Sequence, residues 1–112
     1  MKVTKPLLLA AALSLCFSGA ALAAVNEDAA KELGKSNDCF KCHSVDKTKK
    51  GPSYKKIAAK FKGNADAEAK IIKNLTTGPK VKLEDGTEED HKIIDTKDPK
   101  ELKNLIDWIL SR

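Results

Sequence analysis

Cys39-Phe40-Lys41-Cys42-His43 sets two thiols one helical turn apart, with an imidazole at the very next position. Zinc sites, redox disulfides and thioether-linked haem all use cysteine pairs, so the rest of the chain has to decide among them. Structural zinc takes four nitrogen or sulfur ligands. Beyond Cys16 the chain offers two cysteines and two histidines, and His43 follows Cys42 directly instead of standing at a second-pair spacing. A thioredoxin-like C-x-x-C belongs beside a βαβ pattern, and no strand alternation is legible here. Both readings are poor.

The N-terminus sets the compartment. Residues 1–24, MKVTKPLLLAAALSLCFSGAALAA, carry Lys2 and Lys5, then an apolar run from Leu7, then small residues, and no acid. This is the layout of a secretory signal peptide, with Ala21-Leu22-Ala23 as the small-x-small cleavage site. The expected division is a signal peptide over 1–23 and one domain over 24–112. A membrane anchor is the competing reading, but the apolar run is at the short limit for a span and Asn26-Glu27-Asp28 follows it. A lipid-modified Cys16 is disfavoured by the bulky Leu15 before it. Cleavage removes Cys16 and also Met1, the sole methionine.

Thioether attachment of haem uses every residue of the motif. Cys39 and Cys42 can each add to a vinyl group along one porphyrin edge, which leaves His43 over the ring to bind iron. The spacing is that of c-type haem attachment, and an exported chain is where such attachment occurs. An 89-residue domain with little apolar material also needs a staple of this kind.

Loss of Lys2 and Lys5 takes the formal charge from +5 to +3. The distribution is uneven. Lys31 to Lys80 holds 13 lysines and 5 acids, whereas Lys82 to Arg112 holds 6 basic and 9 acidic residues. Residues 47–63, KTKKGPSYKKIAAKFKG, carry seven lysines and no acid. A nucleic-acid partner does not suit an exported chain. The patch reads either as a solvated lysine face or as a steering surface for an acidic protein.

Helical signals dominate. Asn26 is placed to cap a first helix with Glu27 and Asp28 in its first turn and Gly34 as its stop. Gly51-Pro52 punctuates the chain, and Ser53 to Phe61 reads as a short helix ended by Gly63. Asn64 is expected to cap a third helix reaching about Leu75, broken by Gly78-Pro79. Pro79 to Lys97 reads as mostly irregular around a turn at Glu84-Asp85-Gly86. The last helix is the clearest: Asp98 as N-cap, Pro99 at N1 and Glu101 at the capping-box spacing. Leu102, Leu105, Ile106 and Ile109 form its apolar stripe, with Trp108 expected on the flank. The class is all-α, about four short helices.

From about Asn26 to Ser111 the chain resembles a small bacterial class I c-type cytochrome. The resemblance rests on the short first helix, CFKCH, GPSYKKIAAKF, a further helix, a ligand loop and a last helix containing DWIL. It implies one covalently bound haem c and first and last helices that cross, setting Leu33 against Leu102, Leu105 and Ile106. It also implies that the Pro52 carbonyl orients His43. The sequence departs from the family at the sixth ligand. Relatives supply a methionine, which raises the reduction potential, and this domain has none. His91 stands in the loop instead, with Ile93 and Ile94 as apolar anchors, and is the expected second axial ligand; the competing reading is a solvent-facing histidine, with the sixth position open or taken by lysine, water or hydroxide.

The resulting expectation is a periplasmic one-electron carrier, monomeric, bis-histidine ligated and of low potential, with acidic redox proteins as partners. No nucleic-acid partner and no membrane insertion after cleavage are expected. No nucleophile or paired acid–base carboxylates are legible, so it is not read as an enzyme. The competing readings are a haem-based ligand or redox sensor in which His91 leaves the iron, and a cytochrome subunit of a larger redox enzyme.

Overall fold

A computed structural model describes residues 24–112. The expected signal peptide and its cleavage site lie outside the described residues. Within them, α1 (Glu27–Ser36) leads through a single 3₁₀ turn (Cys39–Lys41) to α2 (Tyr54–Phe61) and α3 (Ala67–Thr77). A small hairpin, β1 (Lys80–Lys82) and β2 (Glu88–Asp90), precedes α4 (Pro99–Leu110).

Asn26 caps α1 as its sequence position implies, Oδ1 accepting the Ala29 N–H at 3.0 Å. Gly34 does not stop the helix, which continues to Ser36. Gly34 is buried, and a Cβ there would stand 3.0 Å from Phe40 Cε2. Its small size lets the ring of the cysteine segment lie on α1. Ser53 caps α2 through the Lys56 N–H. Asn64 instead closes a tight turn, accepting the Asp66 N–H at 2.8 Å, so α3 begins only at Ala67 and runs on to Thr77.

The hairpin is the clearest departure from the expected irregular run. Its strands pair antiparallel with Lys80 opposite Asp90, and their side chains form an ion pair at 3.0 Å. Three-residue strands rich in charge, with no buried face, leave no alternating apolar signal to read. In α4, Asp98 Oδ1 accepts the Lys100 N–H and Pro99 occupies the first turn. Glu101 does not return to Asp98 directly. It accepts the Thr96 hydroxyl proton, and the same Thr96 oxygen accepts the Asp98 N–H at 3.2 Å. The capping box is closed through Thr96.

Leu102, Leu105, Ile106, Trp108 and Ile109 make α4 the spine of the core. α1 crosses it, with Ala30 fully buried and Leu33 packed against the cluster. Asn104 fastens the crossing, its Oδ1 accepting the Asn26 N–H at 2.8 Å and its Nδ2 donating to the Asn26 carbonyl at 2.9 Å. Trp108 is not on a flank: it is fully buried, edge-on to Tyr54 at 5.2 Å and to Phe40 at 6.3 Å. These aromatic pairs, each adding roughly 0.5–1.5 kcal/mol beyond burial, join α4 to the cysteine segment and α2.

Candidate haem site

A cleft of about 790 Å³ opens between the cysteine segment, α2, α3 and the segment after the hairpin. That volume lies within the range of about 300–1,000 Å³ common to small-molecule and cofactor sites. Cys39, Cys42, His43, Pro52 and His91 all line it, together with apolar groups such as Ile57, Leu75, Ile94 and Leu105. The structure therefore brings these five residues to one cleft.

Local geometry explains how each arrives. Asp38 adopts a left-handed conformation (φ 59°), turning the chain out of α1 and into the 3₁₀ turn. Cys39 and Cys42 are both half-buried and are not paired as a disulfide. The Cys39 carbonyl accepts from both the Cys42 and His43 N–H groups, which coils the motif tightly enough to face both thiols and the imidazole into the cleft.

His43 Nδ1 lies 2.6 Å from the Pro52 carbonyl oxygen. An imidazole donating Nδ1–H to that carbonyl keeps its Nε2 lone pair free. Burial lowers the His43 pKa below the ordinary imidazole value, the Pro52 carbonyl working against it, and a neutral ring is the metal-binding form. Tyr54 stacks on the ring at 5.3 Å, and burial raises its phenol pKa well above the usual value. Gly51 leaves room for the imidazole: a Cβ there would stand 3.1 Å from His43 Cε1 and press the ring aside by a few tenths of an ångström.

His91 follows β2. Its N–H donates to the Pro79 carbonyl at 2.8 Å, and three residues on the Ile94 N–H donates to the Leu75 carbonyl at 2.8 Å. The first bond extends the hairpin pairing by one rung, and the second ties the loop to α3. His91 Nδ1 lies 2.9 Å from the Lys92 carbonyl oxygen, so this ring too can donate at Nδ1 and keep Nε2 free. The centres of the two imidazoles are 6.3 Å apart. Ile94 is buried and lines the cleft as expected. Ile93 does not; it is 54% exposed and rests on Gly78. Adjacent residues of an extended segment point opposite ways, so only one of the pair faces inward.

Comparison with known proteins matches residues 27–112 to the family model described as cytochrome c. The chain belongs to the cytochrome c family. It is accordingly a small electron-carrying haem protein, with one c-type haem held covalently through Cys39 and Cys42. The cleft suits that group, because two thiols and two imidazoles with free Nε2 atoms share one apolar chamber.

Among relatives, this cytochrome is 43% identical to cytochrome c-551 of Pseudomonas aeruginosa over 70 residues, covering 61% of this chain and 66% of the relative. It is 33% identical over 81 residues to cytochrome c-551 of Pseudomonas denitrificans, covering 72% of this chain and 94% of that protein. Among solved structures, the class 1 cytochrome MtoD of Sideroxydans lithotrophicus ES-1 superposes with a TM-score of 0.75 at 61% identity. That likeness covers 79% of this chain and 97% of MtoD. The all-α cytochrome c-like fold is thereby established, and the small hairpin lies within it.

Sequence reasoning passed over Gly51, Gly78 and Asn37 as parts of the site. The two glycines were legible only as turn residues. What makes them specific is the atom each would strike, and that is tertiary information. Among the described residues no helix is long and apolar enough to cross a membrane.

Proposed function

We propose that this cytochrome is an exported, monomeric electron carrier of the periplasm, processed after residue 23, with His43 and His91 as the axial ligands of a low-potential haem. The observation that carries the ligand assignment is the 6.3 Å between imidazole centres. Two metal–nitrogen bonds of about 2.0 Å, each extended by about 1.15 Å from nitrogen to ring centre, sum to about 6.3 Å. Two rings on opposite faces of one iron require that separation. The free Nε2 atoms, oriented by the Pro52 and Lys92 carbonyls, support the same assignment.

A haem so held supplies ferric–ferrous chemistry, one electron at a time. The chain's part is to keep both imidazoles in place so that little reorganises between the two states. Imidazole donates more strongly than a thioether and favours the ferric form, and methionine ligation is the feature that raises potentials in cytochromes c.

Lys41, Lys50, Lys56, Lys60, Lys82 and Lys92 line the cleft, against Asp38, Glu89 and Asp90. That excess supports an acidic docking partner, drawn in by long-range attraction and oriented towards the haem edge. Lys49 adds to the rim with its Nζ donating to the Phe40 carbonyl at 2.7 Å, beside the cysteines.

The test is optical and magnetic spectroscopy of the oxidised and reduced protein beside His91→Ala. The wild type should be low-spin in both states and inert to carbon monoxide when reduced, and the variant should bind it. An unchanged low-spin spectrum in His91→Ala refutes the assignment. A sensor reading draws on one observation, that His91 is only half-buried and lies outside any helix. Ready binding of carbon monoxide by the reduced wild type would favour it over the carrier.

A further inference from the structure

Residues 79–97 must hold His91 across a cleft from the motif that attaches haem, and they do so with few fixings. Three are backbone bonds: His91 to Pro79 and Ile94 to Leu75, already described, and the Glu84 N–H to the Lys50 carbonyl at 3.0 Å. Two more reach the segment before Cys39. Lys92 Nζ pairs with Asp38 at 3.2 Å, with both side chains 46% exposed, and an exposed pair of this kind contributes little. The other is Asn37. It is only 3% exposed, its Oδ1 accepts the Asp95 N–H at 2.9 Å, and its Nδ2 donates to the Leu33 carbonyl at 3.0 Å.

We infer that Asn37 is a positioning residue for the distal ligand: its buried amide ties the His91 loop to the end of α1 and so limits exchange of His91 for external ligands. The inference rests on the ligation reading above. One end of the amide caps α1, where its Nδ2 adds a second donor to the Leu33 carbonyl, which already accepts the Asn37 N–H at 3.2 Å. The other end holds the backbone four residues after His91. Asn37 stands two residues before Cys39, so the link joins the haem-attaching segment to the distal loop without passing through the iron. No other buried polar side chain among the described residues bridges the two. Ser53, also buried, caps α2 locally.

Loss of the tie takes away the acceptor of the Asp95 N–H and lets the loop open locally without global unfolding. The probe is cyanide binding to the oxidised, haem-loaded protein, followed by stopped flow, with thermal stability recorded for each variant. Asn37→Ala should bind cyanide about tenfold faster or more, tenfold being equivalent to about 1.4 kcal/mol. Asn37→Asp keeps the acceptor for the Asp95 N–H and should stay within about threefold of wild type if the loop tie, and not the α1 cap, sets the rate. Leu102→Ala, which loosens the α1–α4 seam away from the cleft, should lose stability without the rate increase.

An unchanged rate in Asn37→Ala overturns the inference, as does an equal acceleration in Leu102→Ala, which would mark a merely structural role. If His91→Ala leaves the low-spin spectrum unchanged, the ligation reading falls and takes the inference with it. If His91→Ala responds as expected and Asn37→Ala does not, the inference alone fails.

Discussion

Gly78→Ala separates backbone strain from displacement of the distal ligand. Gly63, Gly78 and Gly86 all have positive φ, at 74°, 57° and 87°. An L-residue in that region costs about 1–2 kcal/mol. In a domain of this size each kcal/mol lowers Tm by roughly 4–8 °C, so alanine at any of the three should cost about 4–16 °C. Their surroundings differ. A Cβ at Gly63 or Gly86 meets nothing within 4 Å, whereas at Gly78 it would stand 2.8 Å from the His91 carbonyl oxygen and 2.9 Å from Ile93 Cγ1.

The exposed Ile93 side chain can swing aside; the His91 carbonyl cannot move without its peptide. Relief to an ordinary contact of 3.4 Å requires a shift of about 0.6 Å, beyond the tolerance of about 0.5 Å that functional geometries allow. Overpacking of this kind costs about 1–3 kcal/mol, equivalent to about 5–150-fold in an equilibrium that releases His91. Carbon monoxide binding to the three reduced variants is the assay. Gly78→Ala should bind it readily, while Gly63→Ala and Gly86→Ala should remain as inert as wild type. Equal behaviour of all three would show that the contact at Gly78 does not govern the ligand.

His91→Met should raise the reduction potential measured by spectroelectrochemical titration, since a thioether favours the ferrous form relative to imidazole; a fall in potential would contradict the ligand reading. Haem should remain with the chain after denaturation in acidic organic solvent, detected by intact mass, and Cys39→Ala with Cys42→Ala should abolish that retention. Electron transfer to an acidic partner should slow as salt rises, and charge reversal at Lys49, Lys50, Lys55 and Lys56 should slow it more than reversal at Lys100 and Lys103. Equal effects from the two sets would make the lysine face merely solvated. Leu105→Ala, at a site 1% exposed, should cost about 2–5 kcal/mol in denaturant unfolding.

The helices were legible because their signals are local. Asn26, Ser53 and Asp98 cap through bonds spanning two or three residues, and the α4 stripe repeats at helical spacing. The site was legible because attachment chemistry imposes its own spacing on Cys39, Cys42 and His43. What escaped depends on partners distant in sequence. Gly34 reads as a stop signal until Phe40 is seen against it. Trp108 falls beside the stripe on a wheel of α4, yet α2 and the cysteine segment supply Tyr54 and Phe40 on that side and bury it completely. The burial of Asn37 needs Asp95, 58 residues away, and no periodicity encodes that pairing.

The same contrast of range divides the two sides of the haem cleft. His43 is fixed by its neighbours: the turn at Cys39 lies four residues back, Gly51 and Pro52 lie eight and nine residues on, and Tyr54 stacks from the same stretch. Every one of these contacts closes a short loop, whose entropy cost is small. His91 is placed by residues drawn from α3, the hairpin and the end of α1, through contacts that reach as far as 58 residues along the chain. Partial unfolding therefore reaches the distal side while the proximal contacts persist. In partial denaturant His91 should leave first, and carbon monoxide binding to the reduced protein should begin before the near-ultraviolet signal of Trp108 is lost. Simultaneous loss of both would show that the distal loop and the core form one cooperative unit.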